Sequence, residues 1–320
     1  MASFKKMVLR AFGSKQSLAL GVVVLVVVLA VGFVYGRSFA DDVRGGLALR
    51  GAHSIEADSG TRVLNEFGLF GTKHVSVPFS GTIVDYAEGG ATKVALIVST
   101  KDGKEDFALL STSRMITSDG GIKGAPAVSS DGSMLAYARF SKTLKPDDNV
   151  GAALAASSVD DWIVETMDIA KGAVVTHGAG YAPQFFTIDG ARYLFFTTSK
   201  GLTMLNLGNR ALASVALGTT TPVRFPAKVS ADGGYVALLD AATYRYSIFS
   251  LRQNGSIFSI QPKGELPLGT YLVAFKGSSV FGVARAGSGP VVLSVFDLKN
   301  LQRPILTHQF SSTALYRFIP

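Results

Sequence analysis

Six charged side chains crowd the stretch from Ser141 to Asp161: Lys142, Lys145, Asp147, Asp148, Asp160 and Asp161. Two carboxylate pairs flank a run of small apolar residues, Gly-Ala-Ala-Leu-Ala-Ala-Ser. If the loop folded the pairs together, they would present oxygen ligands to a hard cation such as calcium. The spacing does not follow the D-x-D-x-D-G pattern of a built calcium loop, so the six residues are read as a binding surface for a partner. The competing reading is a solvated excursion with no role, since a connection this long is far outside the usual hairpin range. Trp162, the only tryptophan, opens the alternating segment WIVETMD and is assigned to the core.

The remaining chemistry-bearing residues form no constellation. His53, His74, His177 and His308 stand far apart, and no pair has the i, i+4 spacing of a helical zinc site. Neither a G-x-S-x-G elbow nor a G-x-x-x-x-G-K phosphate loop occurs. Gly120-Gly121 and Gly287-Ser288-Gly289 lack the strand-to-helix setting that phosphate binding needs. Cysteine is absent, which removes disulfides, thiolate metal sites and a cysteine nucleophile. The sequence thus implies no catalytic residue, no cofactor and no metal.

Charge narrows the partners. Lys and Arg total 31 against 23 acidic residues. Residues 1 to 37 hold five of the basic residues and no acid, so the rest of the chain is close to balanced. A nucleic-acid footprint would need basic residues clustered on the folded part, and nucleic acid is excluded as a partner on that ground. The early basic residues instead flank Leu18 to Tyr35, 18 residues without a charge. As a helix this run spans ~27 Å at ~1.5 Å per residue, close to the ~30 Å hydrocarbon core of a bilayer. It is read as a single transmembrane signal anchor with the N-terminus in the cytoplasm by the positive-inside rule. A cleaved signal peptide is the alternative, because Ser38-Phe39-Ala40 has a small-x-small pattern, although the run exceeds the usual apolar region of such peptides.

A repeat must position whatever the rest of the chain does. From Pro126 the chain reads PAVSSDGSMLAYARF, from Pro183 PQFFTIDGARYLFF and from Pro226 PAKVSADGGYVALL. Turn centres fall near Gly89, Asp131, Asp189, Asp232 and Gly277, spaced 42, 58, 43 and 45 residues apart, and the long interval contains the insertion. One unit supplies strands at Ala227 to Ser230, Tyr235 to Asp240, Tyr246 to Leu251 and Ser256 to Gln261, the last two joined by Asn254-Gly255, which favours a type I′ turn. Four short strands per ~40 to 50 residues is the period of a propeller blade. The fold class is therefore all-β, a β-propeller of six four-stranded blades closed by N- and C-terminal strands, or of seven if the N-terminal strands hold more than a partial blade. Leu315 to Ile319 would supply an inner strand to a blade whose others come from residues 46 to 79, where Leu47 to Arg50, Ser54 to Ala57, Arg62 to Glu66 and His74 to Phe79 read as strands. The domain order is a basic N-terminus (1–17), the anchor (18–35), a linker (36–45) and the propeller (46–320) with insertion 141–161.

In this setting each Asp-Gly pair is turn chemistry: Asp accepts hydrogen bonds from its own turn and Gly supplies positive φ. Phe185, Phe186, Tyr193, Phe195, Phe196, Tyr244 and Tyr246 are read as packing between blades.

Ser129, Asp131, Gly132, Ala136 and Tyr137, and again Ser230, Asp232, Gly233 and Ala237, resemble the TolB-type, WD-repeat-like propeller motif, approximately Pro-x-apolar-Ser-Pro-Asp-Gly followed by apolar-Ala-aromatic. The proline before Asp is replaced by Ser130, Ile188 and Ala231, and the first and fifth units lack the Asp. The resemblance covers three well-matched copies and two weak ones and implies a fold, because propellers of this type include envelope scaffolds and the substrate-gating domains of some peptidases.

The expected function is a non-catalytic protein-binding or envelope scaffold module, held in the bilayer through Leu18 to Tyr35 in the cell membrane with the propeller outside the cytoplasm. The alternatives are a propeller enzyme such as a glycosidase or lyase, and a surface adhesin or fibre component. Protease added to intact cells is expected to digest residues after 46 while a cytosolic marker stays whole. Protection of both would place the domain on the other side of the membrane.

Overall fold

The computed structural model describes residues 48–58, 61–68, 71–98, 104–144, 149–216, 227–240, 243, 245–255, 257–285, 289–310 and 314–320. Leu18 to Tyr35 lies outside them, and among the described residues no helix is long and apolar enough to cross a membrane. The chain divides into two units, Met1–Arg50 with Gly68–Gly71, and Gly51–Phe67 with Thr72–Pro320. Of the first unit, Ala48 and Leu49 are helical and the Gly68 N–H donates to the Gly71 carbonyl at 2.7 Å. The strand expected at Leu47 to Arg50 is therefore absent from its described residues, four residues being too few to separate a helical from a strand period.

The second unit is all-β and propeller-like. Its strands follow one another as antiparallel meanders, and the strands inside each sheet carry apolar residues on both faces. In β5 (Thr92–Val98) Val94 and Leu96 pack into one core cluster with Phe107 and Tyr137, while Ala95 and Ile97 pack into another with Ile55 and Tyr86. Successive strand residues point to opposite faces, so a run such as VALI must be covered on both sides.

Five sheets result. Strands β4 (Thr82–Gly89), β5, β6 (Glu105–Leu109) and β7 (Arg114–Met115) form one, and β8 (Lys123–Val128), β9 (Met134–Phe140), β10 (Trp162–Asp168) and β11 (Val174–Ala179) a second. A third holds β20 (Thr270–Lys276), β21 (Ser279–Arg285), β22 (Val291–Asp297) and β23 (Leu306–Gln309). The eight-stranded sheet joins two meanders, β12 (Tyr181–Ile188), β13 (Ala191–Thr198), β14 (Gly201–Asn206) and β15 (Leu212–Ala216) with β16 (Lys228–Val229), β17 (Tyr235–Asp240), β18 (Arg245–Asn254) and β19 (Ile257–Glu265). Their junction is a short parallel pairing, Val215 opposite Phe258 and Ala216 opposite Ser259. The fifth sheet takes β24 (Leu315–Ile319) from the chain's last residues and pairs it antiparallel with β1 (His53–Asp58), followed by β2 (Thr61–Phe67) and β3 (Thr72–His74). The strands β4, β8, β12, β16, β20 and β24 each touch the next, and β24 touches β4, so they close a ring.

The Asp-Gly turns fall into two kinds. In the first, Ser129 Oγ donates to Asp131 Oδ1 at 2.6 Å, and the same hydroxyl accepts from the Met134 N–H at 3.0 Å. Ser230, Asp232 and Tyr235 repeat this arrangement at 2.6 and 2.9 Å. In the second, Ile188 and Ala191 pair directly, and Asp189 and Gly190 form a two-residue loop at φ +48° and +78°, both positive as a type I′ turn requires. The difference follows from the residue two before Asp, a serine in the first kind and Thr187 in the second. The loop expected at Asn254-Gly255 sits one residue later, because Asn254 pairs with Ile257 and Gly255 takes φ +61°.

Gly132, at φ +72°, is also where this turn meets the preceding sheet: a Cβ there would lie 2.5 Å from Thr92 Oγ1 and 2.9 Å from the Gly89 carbonyl. Gly190 has open space around it. Gly190→Ala should therefore cost only the left-handed strain of ~1–2 kcal/mol, whereas Gly132→Ala should add an overpacking cost of ~1–3 kcal/mol. Urea unfolding of the two variants measures the difference, and equal losses would remove the claim that the turn is wedged against its neighbour.

Candidate functional site

The ring of inner strands surrounds a cavity of about 240 Å³, to which each contributes lining residues: Glu88, Val128, Phe185, Lys228, Phe275 and Arg317 stand one on each strand or, for Glu88 and Phe275, near its end. At the end of the strands that carries the Asp-Gly turns it continues into a mouth of about 410 Å³, where Phe185, Phe275, Met134 and Leu207 meet the Ser129-Ser130 turn and Arg192.

Local irregularity aims these residues. The ladder slips between Ile83 and Asp85 in β4, Gly124 and Ala127 in β8, Tyr181 and Gln184 in β12, and Thr270 and Leu272 in β20. Such bulges bend a strand and re-aim the residues that follow. In β8 and β12 the slipped residues Ala125 and Ala182 take φ +51° and +54° and precede Pro126 and Pro183, which bring no N–H to the ladder. Strand β16 is only two residues long, and Gln184 completes its hydrogen bonding. Gln184 Nε2 donates to the Ala227 carbonyl at 2.7 Å, and the Val229 N–H donates to Gln184 Oε1 at 3.1 Å. Lys228, between these two anchored residues, projects into the cavity.

Three charged groups define the electrostatics of the cavity wall. Arg317 Nε lies 3.1 Å from Asp85 Oδ1 on the adjoining strand, and Arg317 Nη2 donates to the Pro126 carbonyl at 3.4 Å. Glu88 is held at the rim by the Tyr86 hydroxyl, which donates to Oε2 at 2.8 Å, and by His53 Nδ1 at 3.2 Å. Burial alone would raise the Glu88 carboxyl, and the contacts from His53 and Tyr86 outweigh it and hold the group below its ordinary value. Burial and then the Glu88 charge push the Tyr86 phenol far up, so it remains a donor. The Lys228 ammonium makes no hydrogen bond or ion pair among the described residues. Burial, then repulsion from Arg317, pulls its pKa down to about 7, against a smaller attraction from Asp85.

The insertion lies elsewhere. Its helix α1 (Val150–Ala155) is capped by Asn149, whose Oδ1 accepts from the Ala152 N–H at 3.0 Å. Leu144 and Leu154 pack against Phe140 and Trp162, and Trp162 Nε1 donates to Ser157 Oγ at 3.2 Å. The described part of the insertion is thus seated on the core rather than solvated throughout. Lys142 and Asp161 are brought together, Nζ to Oδ1 at 2.8 Å, and Asp161 also accepts from the Ser158 N–H at 2.8 Å. Those two contacts lower the Asp161 pKa. Asp160 is exposed beside them, and Lys145, Asp147 and Asp148 lie outside the described residues.

Of the aromatic residues, Phe186 stacks on Tyr193 at 5.2 Å and Phe195, Phe196 and Tyr246 are buried as packing, while Tyr244 lies outside the described residues. Phe185 is the exception, because it faces the cavity. Among the described residues no group of three or more histidine or acidic side chains could hold a metal. His177 Nε2 lies 2.8 Å from Thr166 Oγ1, and His308 packs edge-on against Phe67 and Phe310. The cavity charges were not singled out from the sequence. Their signal is a charged residue inside a short apolar strand, as in IVDYAE, AKVS and LYRFI.

Asp131 offers a pH test. Hydrogen bonds from Ser129 and from the backbone and side chain of Ser133 hold its pKa down at about 2, with Arg192 of the next sheet adding attraction at 2.8 Å. A depressed carboxyl contributes stability that is present above its ordinary value near 3.8 and lost as pH falls towards 2. Asp131→Asn should therefore flatten the fall of the unfolding midpoint between pH 4 and pH 2 that wild type shows. Parallel curves would mean that the turn network contributes nothing through this charge.

No protein-family model matches the chain, and no curated protein matches it. Among solved structures it is similar to TolB from Acinetobacter baumannii, with 18% identity, a TM-score of 0.56 and 82% of this chain covered. The match spans 64% of that protein's length. Weaker likenesses are an oligogalacturonate lyase from Vibrio parahaemolyticus (12% identity, TM-score 0.48, covering 79% of this chain and 71% of that one) and the β-propeller domain of Cps50 (Swd1) from Myceliophteria thermophila (11%, 0.44, 73% and 88%). In fold, the chain resembles TolB-type, WD-repeat-like β-propellers.

Proposed function

We propose that the chain is a membrane-anchored, extracytoplasmic β-propeller that binds a protein or envelope component without catalysis. The eight-stranded sheet is read as two blades sharing an edge, which makes six in all. Leu18 to Tyr35 is the proposed anchor. The observation that carries the binding reading is the engagement of the carboxylates in and behind the cavity wall: Asp85 is paired with the lining Arg317, and the lining Glu88 with Tyr86 and His53. The surrounding wall is apolar, with Val128, Phe185, Val273 and Phe275. Glycoside hydrolysis places two carboxyl groups across the scissile bond, ~5 to 10 Å apart and available to it. An apolar cavity with a few fixed polar groups is instead the usual form of a binding site. The fold it shares with TolB supports the same reading at the level of scaffold alone.

The site is tested by crosslinking the full chain in its native membranes. A partner recovered with wild type should be lost ~10-fold or more with Phe275→Glu, because a charge on the apolar collar must be desolvated on binding. Recovery equal to wild type would move the site away from the channel. A chain lacking 141–161 separates the insertion: loss of partner there, with Phe275→Glu unaffected, would assign binding to Lys142, Lys145, Asp147, Asp148, Asp160 and Asp161.

A further inference from the structure

The cavity's charges do not balance locally. Asp85 is occupied by Arg317, and Glu88 is occupied at the rim, which leaves Lys228 as the one lining cation without a partner among the described residues. Lys228 is half-buried in the channel wall and opens onto the cavity. On β16 it stands three residues before Ala231, which lines both cavity and mouth. At ~3.3 Å per residue the Lys228 backbone thus stands ~10 Å along the strand from Ala231. Between it and the opening the wall is Val128, Phe185 and Phe275.

We infer that the channel takes a carboxylate carried on an apolar stem, with the carboxylate at Lys228 beside Arg317 and the stem along the aromatic mouth. An ammonium with no contacting anion matches a monoanion, whereas a metal cation would be repelled by it and a phosphate dianion would remain undercompensated. An unpaired ammonium in an apolar enclosure is costly, and an entering carboxylate satisfies it. The apolar collar sets the requirement for a stem, since a bare carboxylate would gain nothing there. Two sources share this chemistry, a free medium-chain carboxylic acid and the C-terminal carboxylate of an apolar peptide. The inference rests on the reading of the propeller as a binding module and names what its channel recognises.

The charged groups facing Lys228 are Arg317 and Asp85, with Glu88 lining the same cavity. Binding needs the ammonium, so affinity is fullest below the free pKa of about 7 and falls as pH rises through it. Above that point the fall should be about tenfold per pH unit.

The test is calorimetric titration of the full chain in nanodiscs with octanoate and its methyl ester, and with the peptide Leu-Leu-Val bearing a free or amidated C-terminus. Binding of octanoate or of the free peptide is expected, and the member that binds identifies the source. Its ester or amide should bind ~30-fold more weakly or worse, and so should Lys228→Met with the preferred carboxylate. Removing an unpartnered enclosed charge should leave the unfolding midpoint of Lys228→Met unchanged or higher, and Lys228→Arg, which keeps a cation, should retain binding if the methionine variant fails to fold. No binding by either carboxylate, an ester or amide that matches it, or a wild-type affinity in Lys228→Met would overturn the inference. If these fail while Phe275→Glu still loses its crosslinked partner, the binding module stands and only the carboxylate falls.

Discussion

A strand such as Thr92–Val98, buried on both faces, needs a sheet on each side of its own, and those neighbours need the same. A row of such sheets ends in exposed apolar faces unless it turns back on itself. The pairing of Leu315–Ile319 with His53–Asp58 fits that need, because it builds one sheet from both ends of the described chain and lets the inner strands form a ring. The pairing is small, four residue positions with one bulge, yet it spans the longest sequence separation in the fold. Contacts so far apart are entropically late to form, so the stacked local hairpins must carry most of the structure before the ring shuts.

Ring closure also makes the site. Asp85, Pro126, Lys228 and Arg317 are distant in sequence and meet only because four different strands each bring a few residues to one axis. Their electrostatics follow from that enclosure. The Arg317 and Asp85 charges are paired within the wall, whereas Lys228 feels the desolvation of the channel with little compensation. Gln184 keeps Lys228 in place by lending its amide to a strand too short to sustain its own ladder.

The legible and illegible parts of this molecule divide along local and distant interactions. The Asp-Gly turns, the aromatic packing of Phe186 and Tyr193, and the four-strand units were all readable, because hairpin chemistry acts within a few residues. Even there the two kinds of turn were not separated, although Ser129 and Ser230 against Thr187 carry the distinction. The charges of Asp85, Lys228 and Arg317 were passed over, since each looks like an ordinary polar residue in its own strand and acquires meaning only from partners on other sheets. The insertion stands out in the sequence for its carboxylates, whereas its described part is organised by Leu144 and Leu154, apolar residues whose docking surface comes from Phe140 and Trp162.

The parallel junction of Leu212–Ala216 with Ile257–Glu265 divides the ring unevenly. The two meanders it joins also share one core cluster, with Phe186 and Phe195 on one side and Val236 and Phe258 on the other. A backbone ladder and apolar burial therefore bind this pair into a single unit, while among the described residues the other sheets share no ladder with their neighbours and are joined by face packing and side-chain contacts such as Arg317–Asp85 and Arg192–Asp131. The ladder therefore ends at the outer boundaries of this pair, where β12 meets β8 and β16 meets β20 across faces rather than edges.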